Sequence, residues 1–363
     1  MLQKPNYADY DSPSKFQALM GIICTRLKQY PNAICSYSGG SDSDIMLDLI
    51  ERTRNIFPST PPVKYVFFNT GLEMDATKRH IIEIEKKYCV YIEEIKPKKS
   101  IVTAVKENGQ PFLTKAISAR ISDLQKKEIP LSIYDEYQNA DNKFKKWQDI
   151  QNRYPKCKCL INSILGTTSK GEMTNNTQLS LSGSSYLIDF LQKYPPKFKI
   201  SDKCCGICKK EPAHRIEKSY DLIITGERFA EGGVRTTVKP IYDTDTQCFY
   251  EQSDGKHKFR PLYYVTDNDK LWYKKYYGIK FSDAYEVYGL CRTGCCGCPI
   301  NCNVVNDLEK IRLYEPNIVK ASWNIFGDSY RYRQSYNEYK EKNKIAEKIK
   351  NLPEYNKNQL RFF

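Results

Sequence analysis

Ser38-Gly39-Gly40-Ser41-Asp42-Ser43 is the stretch best equipped for chemistry in this 363-residue chain. A short apolar run, Ala33 to Cys35, precedes it, and Ile45 to Ile50 reads as an amphipathic helix after it. Two adjacent glycines let the backbone turn tightly and come close to a ligand. Hydroxyls and backbone N–H groups then gather at a helix N-terminus, where the peptide dipoles favour an anion. That arrangement suits a pyrophosphate. The spacing is neither the GxxxxGK[ST] of a Walker loop nor the GxGxxG of a dinucleotide-binding turn.

The second reactive constellation is Cys204-Cys205 with Cys295-x-x-Cys298 further along. Four thiolates could hold a [4Fe–4S] cluster or a tetrahedral zinc. The chain carries 14 cysteines. Met1 to Ser14 is polar and lacks the apolar core of a secretion leader, so a cytoplasmic setting is expected. There a disulfide framework is not expected, and clustered thiols favour metal. Cys208, Cys291, Cys296 and Cys302 lie nearby as alternative ligands or sulfur carriers. Cys157 and Cys159 are too close for the usual CxxC geometry and stay unassigned.

The elements that must position these groups alternate along the chain. Ser14 to Tyr30 reads as a packing helix with Phe16, Leu19, Met20, Ile23 and Leu27 on one face. Val63 to Phe68 reads as a buried strand, Asn69 to Glu73 as a turn, Met74 to Tyr88 as a helix and Cys89 to Ile95 as a strand. The order implies an α/β fold with a doubly wound, mostly parallel sheet. Ligands of such sheets sit beyond the carboxyl ends of the strands. Ile121 to Ile200 turns polar and helical, with no strand pattern. Asp221 to Gly226 is another strand ending in glycine, and Asp243 to Lys258 is a polar hairpin or loop. Beyond Asn303 the chain reads as charged helices. Ser329 to Tyr339 interleaves Tyr and Arg, as a nucleic-acid contact or a solvated face would. The expected division is 1–120 as a nucleotide-binding half, 121–200 as a helical insertion, 201–302 as the second part of that domain with the cysteines, and 303–363 as a helical C-terminal segment.

Hydrophobic residues make up 40% of the chain, enough for a substantial core, and the formal net charge is +14. That excess points to polyanionic partners: a nucleotide, and DNA or tRNA as candidates. No run approaches the ~18 apolar residues of a membrane span.

Ser38 to Ser43 resembles the SGGxDS PP-loop of N-type ATP pyrophosphatases, which bind ATP and cleave it between the α and β phosphates. Many of those loops carry Lys where this chain has Ser41, so a cation from elsewhere is expected to take its place. Asn69-Thr70-Gly71-Leu72-Glu73 resembles the D-T-G-x-E/Q turn of the phosphoadenylylsulfate (PAPS) reductase family, with Asn69 where Asp is usual. Gly109, Pro111 and Lys115 match that family's G-x-P-x-x-x-K, which makes Lys115 a candidate phosphate contact. Thr225-Gly226-Glu227-Arg228, with Arg235 further on, resembles its T-G-x-R-x-x-E/Q-S-x-x-R. Arginines there can pair bidentately with phosphate or sulfate oxygens. Pro261 to Ile279 matches a helical segment of the family. The cysteine pattern is similar to that of the assimilatory sulfonucleotide reductases. It implies a [4Fe–4S] cluster on Cys204, Cys205, Cys295 and Cys298, with zinc as the lesser alternative. Together, Cys35 to Lys115 and Lys203 to Cys302 resemble the PAPS reductase-like family of PP-loop proteins, whose fold is Rossmann-like and adenine nucleotide alpha hydrolase-like. Its members include sulfonucleotide reductases and DNA phosphorothioation sulfurtransferases.

The resemblance implies a site that holds ATP with Mg²⁺. Ser38, Gly39, Gly40, Ser41, Asp42, Ser43, Thr70, Gly71, Gly226 and Lys115 would contact the nucleotide. Asp42 would help hold Mg²⁺, and Ser43 would hydrogen-bond phosphate. Arg228 and Arg235 would stabilise the transition state as an acceptor is adenylylated. Sulfur transfer to nucleic acid, with a sulfur-donor protein as partner, is the expected context. Sulfonucleotide reduction is the runner-up. Reductases use a tail cysteine in a motif like E-C-G-x-H, and no cysteine follows Cys302 here. They also tend to have a degenerate loop, whereas this one is intact. A third expectation is a non-catalytic nucleotide-binding subunit, which Ser41 and Asn69 would suit.

Overall fold

The computed structural model describes residues 6–174, 180–184, 186–232 and 248–350. Arg235 lies outside the described residues. Strands β1 (Ala33–Ser36), β2 (Val63–Phe68), β3 (Ile92–Ile95), β4 (Leu222–Thr225), β5 (Phe249–Glu251) and β6 (His257–Phe259) form one sheet in the order β3-β2-β1-β4-β6-β5. The β5–β6 pair is antiparallel and the other neighbours are parallel. The expected doubly wound, mostly parallel sheet is therefore present. The polar stretch after Asp243 ends in the β5–β6 hairpin, whose turn uses Gly255 at φ +78°. From β1 the chain runs outward through β2 to β3, and β4 then pairs on the other side of β1. The gap between the ends of β1 and β4 is thus the topological switch point, where such sheets take their ligands.

The local reasons are readable in the sequence. Helix α1 (Ser12–Gln29) starts at Asp11, whose carboxylate accepts from the Ser14 N–H, with a proline in the first turn. Phe16, Leu19, Met20, Ile23 and Leu27 all lie buried in the main core, as their helical spacing predicts. Ile34, Val66 and Ile223, from β1, β2 and β4, form a smaller cluster. Central strands of a parallel sheet are covered on both faces, which is why they read as continuous apolar runs.

Helix α2 (Ser41–Ile56) follows the glycine loop, and α3 (Asp75–Tyr88) follows β2. Helix α2 buries carboxylates as well as apolar groups. Asp48, fully buried, accepts from Tyr88 Oη at 2.5 Å and Tyr273 Oη at 2.6 Å, and pairs with Arg52 at 2.6 Å. One side chain thereby joins α2 to α3 and to the helix Asp267–Tyr277. Glu51 is matched by Tyr65 Oη and Arg54.

The chain divides into two compact units. The first comprises 1–101, 205–296 and 306–320, and the second 102–204, 297–305 and 321–363. The sheet belongs to the first. The second is helical and has its own core, in which Phe112, Ile121, Ile161, Phe190 and Tyr336 are buried together. Tyr332, Tyr336 and Tyr339, from the helix Pro316–Lys350, place their rings 5.1, 5.3 and 5.6 Å from that of Phe190. The tyrosines of the Ser329–Tyr339 stretch are therefore packing residues of this unit.

Replacing Asp48 should reveal how much the first unit depends on its buried carboxylate. Asp48→Ala leaves one buried phenol, one half-buried phenol and one guanidinium without their acceptor, and should cost roughly 3 kcal/mol of unfolding free energy in a urea titration. A loss under ~1 kcal/mol would contradict that account.

Candidate nucleotide-phosphate site

The loop between β1 and α2 is built by its own small side chains. Tyr37 donates its N–H to the Val66 carbonyl at 2.8 Å, which extends the β1–β2 pairing to the edge of the loop. Gly39 has φ +67°, and a Cβ there would meet Thr77 Cγ2 of α3 at 2.6 Å. Glycine is required on both counts. Gly40 is the N-cap of α2, and Ser43 closes the turn from within the helix. The Ser43 hydroxyl donates to the Gly40 carbonyl at 2.7 Å and accepts from the Gly40 N–H at 3.0 Å. Its Oγ also lies 3.1 Å from Ser38 Oγ. Ser43, expected to face phosphate, is in this structure engaged in shaping the loop. Helix α2 consequently starts at Ser41, earlier than its apolar pattern indicates.

A cavity of about 460 Å³ opens over this loop. Ser36, Ser38, Gly40, Ser41, Asp42 and Ser43 line it from β1 and α2, and Gly226 and Arg228 from the end of β4. It thus stands at the switch point. Gly226 lets β4 approach closely: a Cβ would sit 3.3 Å from the Asp42 carbonyl. Tyr285, Cys291, Arg292 and Thr293 close another side. Tyr285 Oη accepts from the Ser41 N–H at 3.3 Å and from the Thr293 N–H at 3.2 Å.

Asp42 is the electrostatic centre of the cavity. Its carboxylate pairs with Lys270 Nζ at 2.6 Å and with Arg228 Nε at 3.0 Å. Arg228 is only 5% exposed. It also pairs with Asp267 at 2.9 Å and donates to the Val265 carbonyl. Lys270 donates to Ser41 Oγ at 2.5 Å. A cation does therefore reach Ser41, from a helix more than two hundred residues downstream. Its own segment gave no sign of this role, because Asp267 to Tyr277 reads as an ordinary amphipathic helix. Arg260, also unforeseen, lies 2% exposed, with its guanidinium over the Tyr263 ring, and pairs with Glu227 beside Arg228.

Beneath the loop sits a second buried network. Asp44, one turn into α2, accepts from Tyr37 Oη at 2.6 Å and from His80 Nε2 of α3 at 3.0 Å. Burial works against a charge on His80. The hydrogen bond to Asp44 and the negative charges of Asp44 and Glu83 outweigh it, so the imidazole titrates above its ordinary range.

The remaining expected site residues stand apart from the cavity lining. Thr70 and Gly71 occupy the turn after β2. Thr70 Oγ1 donates to Glu73 at 2.9 Å and lies 3.3 Å from Cys295 Sγ, and the Leu72 carbonyl accepts from the Cys296 N–H. This turn fixes the cysteine segment of the first unit against the end of β2. Gly71, at φ +90°, donates its N–H to Asn69 Oδ1, so the Asn69 side chain shapes this turn. Lys115 opens a helix of the second unit, Lys115–Lys127.

The four expected cluster ligands are divided between the units, Cys205 and Cys295 in the first and Cys204 and Cys298 in the second. Among the described residues, no three His, Cys, Asp or Glu side chains are gathered to hold a metal ion. Cys208 is buried, burial pushes its thiol up, and it contacts the Lys99 carbonyl, so it behaves as a packed core group. Cys291 is exposed and lines the cavity.

The raised His80 has a defined consequence. Its folded value lies above the unfolded value of about 6.5, so its stabilisation is complete below about pH 6.5. It is lost as pH rises through the folded value. Urea midpoints should therefore fall on going from pH 6 towards alkaline pH, and His80→Gln should lack that component of the decline. A wild-type slope retained in full by His80→Gln would contradict the assignment.

Residues 32–152 match the family model described as the phosphoadenosine phosphosulfate reductase domain. No curated protein matches the chain significantly. Solved structures similar to it include the phosphoadenylyl-sulfate reductase of Candida auris in a phosphate complex, at 13% identity and TM-score 0.39, over 76% of this chain and 87% of that one. Candida glabrata FMN adenylyltransferase is similar at 11% identity and TM-score 0.36, over 80% and 67%. The U34-tRNA thiolase NcsA of Methanococcus maripaludis, with its [4Fe–4S] cluster, is similar at 10% identity and TM-score 0.32, over 90% and 80%. The family match covers a third of the chain, and within it lie β1, the glycine loop, β2 and β3, so the nucleotide-site half of the sheet is the part that is similar to the phosphoadenosine phosphosulfate reductase domain.

Proposed function

We propose that this protein binds ATP in the cavity at the β1–β4 switch point and cleaves it between the α and β phosphates to adenylylate an acceptor. One observation carries the reading. The Ser38–Ser43 loop, the N-terminus of α2, Arg228 and Lys270 meet in a single cavity. Helix N–H groups and two cations are what a polyphosphate requires. The acceptor oxygen attacks the α-phosphorus, the bond from that phosphorus to the bridging oxygen breaks, and pyrophosphate leaves with the electron pair. Arg228 is preorganised by its bonds to Val265 and Asp267, so it can meet the developing charge without rearranging. Arg235 is a second candidate for that role.

The lining combines Arg228, Lys270 and Arg292 with Asp42, Glu227 and Glu231. A balance of acids and bases suits a polyphosphate that carries a divalent cation better than a bare anion. Asp42 is the residue that would hold Mg²⁺, which would neutralise phosphate charge. Both its cationic partners must yield part of that carboxylate first. Cys204, Cys205, Cys295 and Cys298 remain the candidate ligands of a [4Fe–4S] cluster, on their spacing. Sulfur modification of DNA or tRNA, with a protein sulfur donor and a cytoplasmic setting, completes the reading and accords with the net charge of +14. Among the described residues, no helix is long and apolar enough to cross a membrane.

The family match favours one second reading, reduction of a sulfonucleotide. Two assays separate them. Protein purified without oxygen should release pyrophosphate from ATP when nucleic acid is added, and Arg228→Ala should lower that rate about 100-fold. Full turnover by a Ser38→Ala, Asp42→Ala double variant would refute the loop's role. Sulfite formed from PAPS and a dithiol, with no pyrophosphate from ATP, would move the assignment to the reductase.

A further inference from the structure

We infer that Lys270 is the phosphate-binding lysine of this loop, moved from the loop itself to the helix Asp267–Tyr277. The inference rests on the ATP reading of the cavity and adds to it a specific residue for the β- and γ-phosphates. The Ser38–Ser43 loop itself carries no lysine or arginine, and Ser41 opens α2 at the position where a loop cation could face a phosphate. In the structure an ammonium is nonetheless delivered to that position, since Lys270 Nζ lies 2.5 Å from Ser41 Oγ. The distance is that of a direct hydrogen bond, so the charge stands within one contact of the substituted side chain.

The delivery is built into the fold. The helix Asp267–Tyr277 begins with a capping box in which Thr266 and Asp269 bond each other's backbone N–H groups. Asp269 in turn pairs with Lys15 of α1 at 2.6 Å, with both side chains under a tenth exposed, and Ser12 adds a bond at 2.7 Å. Tyr273 of the same helix is fixed to Asp48 of α2. Lys270 lies between these anchors, and its side chain is 18% exposed, on the cavity wall. Asp42, the residue after Ser41, holds the ammonium in place while no phosphate is bound. A phosphate group offers Lys270 more negative charge than one carboxylate, so nucleotide binding draws Nζ from Asp42 to the phosphate oxygens. That exchange also returns one Asp42 oxygen to the cavity, where a divalent cation can take it.

If the cation has been relocated, it can be returned. Calorimetric titration with ATP, inorganic pyrophosphate and AMP, each with Mg²⁺, is the test. Wild type should bind ATP and pyrophosphate. Lys270→Ala should weaken both by about 10- to 100-fold, the range of one charge-assisted hydrogen bond, and should change AMP affinity by less than about 3-fold. Adding Ser41→Lys to Lys270→Ala should restore ATP affinity to within about 5-fold of wild type. Thermal melts within a few degrees of wild type establish that the variants are folded. An unchanged ATP affinity in Lys270→Ala overturns the assignment of Lys270 while leaving the ATP site intact. Loss on Lys270→Ala with no rescue by Ser41→Lys overturns the relocation. Wild type that binds neither ATP nor pyrophosphate overturns the ATP reading itself, and the inference with it.

Discussion

The carboxylate of Asp42 holds together three segments that the sequence separates widely. It belongs to the first turn of α2. Lys270 reaches it from the helix Asp267–Tyr277, and Arg228 from the loop after β4. The pairs are mostly enclosed, with side-chain exposures of 18% for Lys270, 6% for Arg228 and 19% for Asp42. In such a setting an ion pair contributes more to geometry than to net stability, because desolvation offsets much of the attraction. The sheet places β1 beside β4, and Gly226 permits the close approach of β4 to α2. Asp42 then sets the positions of the two cations that define the cavity.

Around that centre, buried acids of α2 do the positioning. Asp44 fastens the loop residue Tyr37 and α3 to the helix. Asp48 fastens α3 and the helix that carries Lys270. Each has hydroxyl, imidazole or guanidinium partners, as buried charges must. Along one helix the acidic side chains therefore divide by direction. Asp42 faces the cavity, and Asp44 and Asp48 face the interior. The electrostatics of the cavity and the packing of the unit are two faces of one helix.

The sheet and the loop were legible because their signals are local. A strand, two glycines and an apolar-periodic helix occur within twenty residues of each other, and each step follows from backbone sterics and periodicity. Arg228 was singled out by the resemblance of Thr225 to Arg228 to the family's T-G-x-R pattern. Lys270 was not, since a lysine in an amphipathic helix has the same appearance whether it faces water or a cavity, and only tertiary packing decides. The resemblance raised the need for a cation opposite Ser41 without indicating its source. The resemblance implied a phosphate contact for Ser43, whose hydroxyl here bonds the Gly40 backbone. The stretch Ser329 to Tyr339 was read as a nucleic-acid contact or a solvated face, and packing was not foreseen for its tyrosines. Tyr332, Tyr336 and Tyr339 pack against Phe190, which alternation along the sequence cannot reveal. The cysteine spacing was plain, but spacing does not determine how the thiols lie in the folded chain.

The most direct test of the account is a crystal structure of the protein with Mg²⁺ and a non-hydrolysable ATP in which a methylene group bridges the α and β phosphates. The account predicts β- and γ-phosphate density against the backbone N–H groups of residues 39–43, with Lys270 Nζ on a phosphate oxygen. Arg228 should stand near the α-phosphate. Phosphate density away from this loop, or the adenine ring seated in it with Lys270 still on Asp42, would contradict the central claim.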